Sequence, residues 1–177
     1  MDFSEMFSSP RLIAAQCVGA LAMVLAFFIY AFRDRKRILL SKMVADLLWV
    51  VHYLLLAAYS GAAVNLVNAG REGVFYHKEK KWASSRAWPI LFVLLNLVLT
   101  VLSWQGPISL LPMLGSSLNA LGLWCTSTTR LRMVSLPALT LWLVYSILVG
   151  SLWSLLVNGV SILSALYALI RDRVRGE

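Results

Sequence analysis

Seven apolar segments follow one another along this chain, and each is close to the length at which a helix crosses a membrane. They cover residues 11–32, 38–58, 61–78, 87–104, 107–126, 131–150 and 152–171. About 20 residues of helix are needed to cross the hydrocarbon core. The chain is 60% hydrophobic, whereas soluble domains contain roughly 45–50% apolar residues. The sequence therefore predicts an all-α integral membrane protein in which residues 1–177 form one membrane domain.

The basic residues are concentrated in alternate connections between these segments. Thirteen of the sixteen lysines and arginines occur in residues 33–37, 78–86, 127–132 and 171–177. The connections near Ser60, Gln105 and Ser151 contain none. Because basic loops tend to stay in the cytoplasm, this pattern predicts an N-terminus outside and a cytoplasmic C-terminus. Termini on opposite sides need an odd number of spans, so charge and hydropathy both favour seven.

Composition and motifs disfavour several classes of function. The net charge is +8, but most basic residues lie in loops between apolar segments, so we expect no nucleic-acid binding. Cys17 and Cys125 lie inside apolar segments, which favours buried free thiols over a disulfide or a metal site. The sequence contains no HExxH, CxxC, P-loop or GxSxG motif. We therefore expect no enzyme, no cofactor and no metal.

A shift of 93 residues overlays the second and third apolar segments on the sixth and seventh. Trp49 then coincides with Trp142 and Asn65 with Asn158, and Trp and Asn are sixteen residues apart in both copies. A shift of 96 aligns the first segment with the fifth. A coincident Trp and Asn is harder to obtain by chance than coincident Leu or Val, so the sequence predicts a duplicated three-helix unit.

The predicted duplication also has a direction. Residues 11–78 would form the first three-helix bundle, residues 87–104 a linker helix, and residues 107–171 the second bundle. Because one extra span separates the copies, both bundles would insert in the same sense and be related by an axis along the membrane normal. The alternative is two unrelated bundles with similar hydropathy.

This 3+1+3 plan resembles the architecture of the SWEET sugar facilitators and the PnuC-type vitamin transporters. In SWEET-like carriers, an Asn from the third helix of each bundle flanks the substrate together with nearby aromatic residues. The resemblance implies that Asn65 and Asn158 contact a solute and that Trp49 and Trp142 lie beside it. Core packing is the alternative reading of the two Trp residues.

A closer resemblance is to the YgjV family of bacterial inner membrane proteins, and it is carried by LLSKMVADLLWVVHYLLLAAYSGAAVNLVNAGREGVFYHKEKKW and LLPMLGSSLNALGLW. It extends over residues 14–171, and its most specific element is the N-x-x-N-A-x-R motif of Asn65–Arg71. It implies a fold and an inner-membrane location rather than a particular solute. SWEET carriers use prolines as hinges in both bundles, whereas here Pro112 and Pro137 occur in the second bundle alone.

Polar and charged residues interrupt the second and third segments. Asn65, Asn68 and Glu72 share one helical face. Asp46 and Arg71 would lie ~12 Å and ~10 Å from the cytoplasmic ends of their helices at ~1.5 Å per residue. Charges at such depths are costly without partners. We therefore expect an Asp46–Arg71 or a Glu72–Arg71 contact.

This part of the sequence leaves two alternatives open. We name as the charge cluster the residues Asp46, Arg71, Glu72 and His52. It is interpreted either as a static lock between the second and third helices or as a cytoplasmic gate, and Lys42 competes for Asp46 from one turn away. Asn68 is interpreted either as a solute contact or as a hydrogen-bonding residue between helices.

Together these features favour a transporter for a small polar solute, either sugar-like or nucleoside- and vitamin-like. The two bundles would provide alternating access to a site between them, where amide groups can both donate and accept hydrogen bonds. The alternative is a membrane receptor or small-ligand binding module that has the same fold and does not transport. A proton-coupled step through Asp46, Glu72 or His52 is left open, as is the choice between monomer and homo-oligomer.

Overall fold

The computed structural model describes residues 8–29, 32, 34–85, 87–122 and 128–175. Within these residues the chain forms α-helices and no strand, which confirms the predicted all-α class. The helices are α1 Pro10–Phe28, α2 Arg35–Leu55, α3 Tyr59–Tyr76, α4 Ala87–Leu102, α5 Leu110–Gly122, α6 Thr128–Leu148 and α7 Leu152–Arg175. A 3-10 turn, Pro107–Ser109, leads into α5.

Local capping explains where the first two helices begin. Ser9 accepts a hydrogen bond on its side chain from the backbone N–H of Leu12 at 3.3 Å, and Pro10 occupies the first helical position. Asp34 accepts in the same way from the N–H of Arg37 at 3.2 Å. Side-chain oxygens satisfy helix N–H groups that have no partner inside the helix, and proline fits the first turn because its missing N–H is not needed there.

The turn between α2 and α3 has the same backbone geometry as the turn between α6 and α7. Each contains one residue with a positive φ, 57° at Ala57 and 69° at Gly150. In each turn an amide donates to the carbonyl five residues before it, at 2.9 Å in the first and 2.8 Å in the second. This is the left-handed motif that commonly ends helices. The break therefore lies before Tyr59, and Ser60, which the sequence predicted to lie in the connection, belongs to α3.

The helices pack in a pattern that repeats along the chain. Helix α2 contacts α1 and α3, and α6 contacts α5 and α7. Helix α4 lies against α3 and α5, while further contacts join α1 to α7 and α3 to α5. The buried core between α2 and α6 contains Trp49, Tyr53, Trp142 and Tyr145. Trp49 and Trp142, which the shift of 93 residues pairs, therefore lie where helices α1–α3 meet helices α5–α7.

The distribution of polarity is the reverse of that in a water-soluble domain. Large apolar side chains such as Leu21, Ile90 and Leu163 are 57%, 63% and 69% exposed. The buried residues include many polar side chains, among them Gln16 and Asn96 at 3% and 1% exposure. An apolar exterior around a polar interior suits hydrocarbon as the surrounding solvent. The bilayer predicted from the sequence is therefore the medium that this surface fits.

Three helical stretches in the described part of the chain are long and apolar enough to cross a membrane. They are Pro10–Phe28, Lys36–Leu55 and Leu152–Arg171. Helices α4 and α6 supply shorter apolar stretches, Ala87–Leu102 and Met133–Leu148. The sequence predicted seven spans, and the polar residues of α3 and the 13-residue length of α5 keep those helices below this standard. Seven spans and the orientation of the termini stay predictions.

Candidate functional site

A cavity of about 760 Å³ lies between α2, α3, α6 and α7. It is lined by all five residues that the sequence predicts to contact a solute: Trp49, Asn65, Asn68, Trp142 and Asn158. Asp46 and Arg71 of the charge cluster also line it. Small-molecule sites typically enclose roughly 300–1,000 Å³, so the cavity has room for a small ligand.

The two walls of this cavity are built from equivalent positions. Six pairs separated by 93 residues line it: Lys42 and Ser135, Asp46 and Leu139, Trp49 and Trp142, Asn65 and Asn158, Asn68 and Ser161, and Arg71 and Ser164. The first member of each pair comes from α2 or α3 and the second from α6 or α7. The sequence shift thus relates residues that lie around one cavity.

The amide groups of Asn65 and Asn158 are held in the same way. Asn65 Nδ2 donates to the backbone oxygen of Gly61 at 2.8 Å, and Asn158 Nδ2 donates to the backbone oxygen of Ser154 at 2.8 Å. A backbone carbonyl can only accept, so the NH₂ end of each amide must face it. Each side chain lines the cavity, and its oxygen Oδ1 is the group left to accept hydrogen bonds there.

Trp49 and Trp142 border the cavity on either side of Tyr53. The Tyr53 ring lies 6.0 Å from the Trp49 ring and 6.1 Å from the Trp142 ring, centroid to centroid. Both Trp side chains are 8% exposed, so packing and cavity lining are combined in the same residues. A Cβ on Gly115 would come within 2.8 Å of the Trp142 ring, so a side chain at this position would clash with the ring.

Asn68 is joined to α4 through a serine of α5. Ser116 Oγ of α5 donates to Asn68 Oδ1 at 2.5 Å, and Asn96 Nδ2 of α4 donates to Ser116 Oγ at 3.1 Å. The hydrogen bond between helices that the sequence offered as one reading of Asn68 is therefore present, and Asn68 lines the cavity as well. Asn96 was missed by sequence analysis, although an amide inside an otherwise apolar segment is a signal of such a contact.

Glu72 is the centre of the ionic contacts. Its Oε1 lies 3.1 Å from Arg71 Nη2 and 3.0 Å from Lys42 Nζ. The Glu72 side chain is 1% exposed and the Lys42 side chain 36%. Of the two expected contacts, the Glu72–Arg71 pair is the one that forms. Lys42 contacts Glu72, and in the described part of the chain Asp46 Oδ2 has no hydrogen-bond partner.

His52 lies apart from the other members of the charge cluster. Its Nδ1 is 2.8 Å from the backbone oxygen of Ala15, and its Nε2 is 2.7 Å from Ser151 Oγ. Because the carbonyl can only accept, Nδ1 carries a proton. A Cβ on Gly19 would come within 2.7 Å of this ring. His52 therefore joins α1, α2 and the start of α7 and is fully buried.

Several cavity residues were not found from the sequence. Ser135, Ser161 and Ser164 line the cavity, and the shift of 93 residues would have identified them from Lys42, Asn68 and Arg71. Asn119 of α5 also lines it, and an amide inside an otherwise apolar segment was the signal that could have found it. No three His, Cys, Asp or Glu side chains come together as metal ligands within the described ranges. Cys17 is a free thiol, but it is exposed and not buried as predicted, and Cys125 lies outside those ranges.

A polar cavity enclosed by helices with apolar outer faces defines an integral membrane protein of the all-α class. The chain belongs to the Imp-YgjV family, bacterial inner membrane proteins, whose match covers residues 13–175. The inner membrane protein YgjV of Escherichia coli K12 is 24% identical over 145 residues, which are 82% of this chain and 76% of that protein. No solved structure matches the chain. The predicted family is confirmed, and with it a place in the inner membrane.

Proposed function

We propose that the chain is a carrier for a small polar solute and that the 760 Å³ cavity is its binding site. The helices α1–α3 and α5–α7 would form two parallel three-helix bundles joined by α4. The bundles would rock about the cavity and expose it to each side of the membrane in turn. The observation that carries this proposal is the set of six equivalent residue pairs around the cavity.

Reciprocal contacts support the parallel arrangement. Helix α1 contacts α7, and the equivalent helices α5 and α3 also contact each other. When two copies are related by a twofold axis, each contact occurs twice with the roles of the copies exchanged. An axis between the bundles, along the membrane normal, produces this pattern. Because α4 adds one further span between the copies, equivalent helices would run in the same direction through the membrane.

The chemistry of the cavity favours a neutral solute that carries hydroxyl or N–H groups. Asn65 and Asn158 offer oxygens to such donors, and the Trp side chains offer flat apolar faces. Within the described residues, the acidic Asp46 and Glu72 balance the basic Lys42 and Arg71 around the cavity, so a charged solute would leave one charge without a counterpart. This reasoning covers sugar-like and nucleoside-like solutes alike.

The ionic contacts of Glu72 would help to close the cavity at the end nearer the basic loops. Lys42 and Arg71 line the cavity, and Glu72 holds both. Rocking of α1–α3 against α5–α7 would bring these charges nearer to the opposite wall or farther from it, and would so change the width of the cavity at this end. Asp46 lines the same wall and would be the first residue to examine for proton coupling, by comparing uptake with and without a pH gradient.

Uptake into sealed proteoliposomes tests the carrier proposal. Purified protein would be screened for thermal stabilisation by the neutral solutes D-glucose, D-xylose and uridine, and a stabilising compound would then be used for uptake. We expect the Asn65→Ala, Asn158→Ala double variant to lose uptake while its unfolding temperature stays near that of the parent. Thr140→Ala is the matched control, because Thr140 Oγ1 donates to the carbonyl four residues earlier, at 2.9 Å, outside the cavity.

Two results would contradict the carrier proposal. Uptake that survives in the double variant would place the solute elsewhere. Thermal stabilisation without flux for the same compound would instead identify a receptor or binding module, the second function that the sequence left open.

A further inference from the structure

The cavity ends at a buried layer of polar residues that the solute site itself does not require. We name as the sealing layer His52, Tyr53, Ser60, Tyr145, Ser151 and Ser154. Each of these is at most 4% exposed. They lie where α2 and α6 end and where α3 and α7 begin. The layer therefore crosses the molecule at one end of the cavity.

The contacts in the sealing layer are reciprocal between the two groups of helices. Tyr145 of α6 accepts from the backbone N–H of Gly61 at 2.8 Å, and its hydroxyl lies 3.1 Å from Ser60 Oγ. His52 of α2 lies 2.7 Å from Ser151 Oγ, just before α7. His52 and Tyr145 are themselves separated by 93 residues. Each middle helix thus reaches across to the start of the third helix of the other group.

Tyr53 connects the sealing layer to the candidate binding site. Its hydroxyl donates to Ser154 Oγ at 2.8 Å, and Ser154 Oγ also accepts from Asn158 Nδ2 at 3.1 Å. Tyr53 and Ser154 line the cavity, so they form its floor. Ser154 is therefore the residue through which the Asn158 amide and the sealing layer are joined by hydrogen bonds.

The cavity extends away from the sealing layer in one direction. On α3 its lining runs from Asn65 to Arg71, and on α7 it continues as far as Ala168. The five residues from Ser60 to Asn65 correspond to ~7 Å along the helix. At the far end Lys42 has a side-chain exposure of 36%. The cavity is thus closed at the Ser60 end and continues toward the end that carries the basic loops.

We propose that the sealing layer is the gate that closes the cavity at the Ser60 end, and this inference rests on the proposed carrier function. Opening that end requires α6 to separate from α3, and α2 from α7, so the hydrogen bonds of Tyr145 and His52 must break together. Bonds between neutral groups are individually weak in net terms, which suits contacts that form and break in each cycle. A Cβ on Gly61 would come within 2.7 Å of Tyr145, so this glycine is required for the closed contact.

Sided labelling of a cysteine inside the cavity tests this gate without any solute. The background variant carries Cys17→Ser and Cys125→Ser, and Ser161→Cys places the reporter in the cavity lining. A membrane-impermeant maleimide is applied to right-side-out and inverted vesicles. Lys80→Cys, in a separate preparation, identifies the side of the basic loops.

We expect the reporter to react from the Lys80 side and to be protected from the Ser60 side. Tyr145→Phe removes the hydroxyl that contacts Ser60 and Gly61, and it should raise the labelling rate from the Ser60 side roughly tenfold. Ser151→Ala should act in the same direction through His52. Tyr59→Phe, a tyrosine that is 49% exposed and outside the layer, should leave the rate unchanged.

The gate is refuted if the Ser161→Cys reporter reacts equally from both sides when the sealing layer is unchanged. It is also refuted if neither Tyr145→Phe nor Ser151→Ala changes the labelling rate from the Ser60 side. A purely structural role of Tyr145 would lower the unfolding temperature without changing the side from which the reporter reacts. Failure of the carrier proposal has a different signature, because gated labelling would then occur without flux of any solute in the panel.

Discussion

The helices α1–α3 and the helices α5–α7 agree in geometry and differ in charge. Both groups have a left-handed turn before their third helix, at Ala57 and Gly150. Both also place an Asn on the cavity wall, and both Asn side chains donate to the carbonyl four residues earlier. Among the described residues that line the cavity, the charged ones come from the first group, and Ser164 and Ala165 occupy the positions equivalent to Arg71 and Glu72.

The difference in charge shows that the shape of the cavity and the polarity of its walls are determined by different residues. The shared positions define the shape of the cavity, since they fix its aromatic and amide walls. The charges give one wall a polarity that the other lacks. A charge inside a membrane is tolerated when it has a partner, and Glu72 supplies one to both Lys42 and Arg71. Small residues in the second group avoid that requirement.

Removal of Glu72 should have the largest effect on stability. Glu72→Ala leaves Lys42 and Arg71 without their carboxylate, and breaking a buried ion pair by removing one partner costs about 3–5 kcal/mol. We expect a large decrease in the free energy of unfolding, measured by denaturant titration in detergent micelles.

A symmetrised variant is the control for this prediction. Lys42→Ser, Asp46→Leu, Arg71→Ser and Glu72→Ala together install the residues of the second wall on the first. Replacing a whole buried ionic group is far less costly than orphaning part of it, so this variant should be more stable than Glu72→Ala. If the single variant proves the more stable of the two, the charges do not depend on one another.

Two glycines of α3 should respond to alanine with opposite signs. Gly61→Ala places a methyl group 2.7 Å from Tyr145, and overpacking of this kind costs about 1–3 kcal/mol. A Cβ on Gly70 meets nothing within 4 Å, so Gly70→Ala should stabilise the helix by about 0.5–1 kcal/mol. The unfolding free energies of the two variants check this, and equal values would show that Tyr145 does not press on Gly61.

The sequence predicted the elements of the fold because its strongest signals are local. Apolar length indicated where the helices lie, and the caps at Ser9 and Asp34, which the structure shows, set where α1 and α2 begin. The start of α3 was misplaced because the turn depends on a positive φ at Ala57, a conformation that an alanine gives no reason to expect.

The residues of the candidate site that the sequence predicted with most success are those that the shift of 93 residues pairs. The shift of 93 residues identified the Trp and Asn pairs, and all four residues line one cavity. Contacts that cross between the two groups were not predictable, since a side chain's partner in another helix depends on packing. His52 illustrates this, because the sequence analysis included it in the charge cluster with Asp46, whereas its partners are Ala15 and Ser151.

The smallest predicted effect tests whether the two walls are energetically equivalent. Asn65→Ala and Asn158→Ala each remove one amide oxygen from the cavity, and one hydrogen bond between neutral groups contributes about 0.5–1.5 kcal/mol. Each single variant should therefore weaken the binding of a stabilising solute by roughly 2- to 12-fold, measured from the concentration dependence of thermal stabilisation.

The ratio between the two variants is the informative quantity. Equivalent walls predict losses that agree within about a factor of two, because both amides are held by the same contact to a carbonyl. Asn158 also donates to Ser154 Oγ at 3.1 Å, so a larger loss at Asn158 would show that the sealing layer contributes to binding. A loss at Asn65 alone would mean that the solute lies against the charged wall, and the symmetry of the cavity would then describe its origin rather than its use.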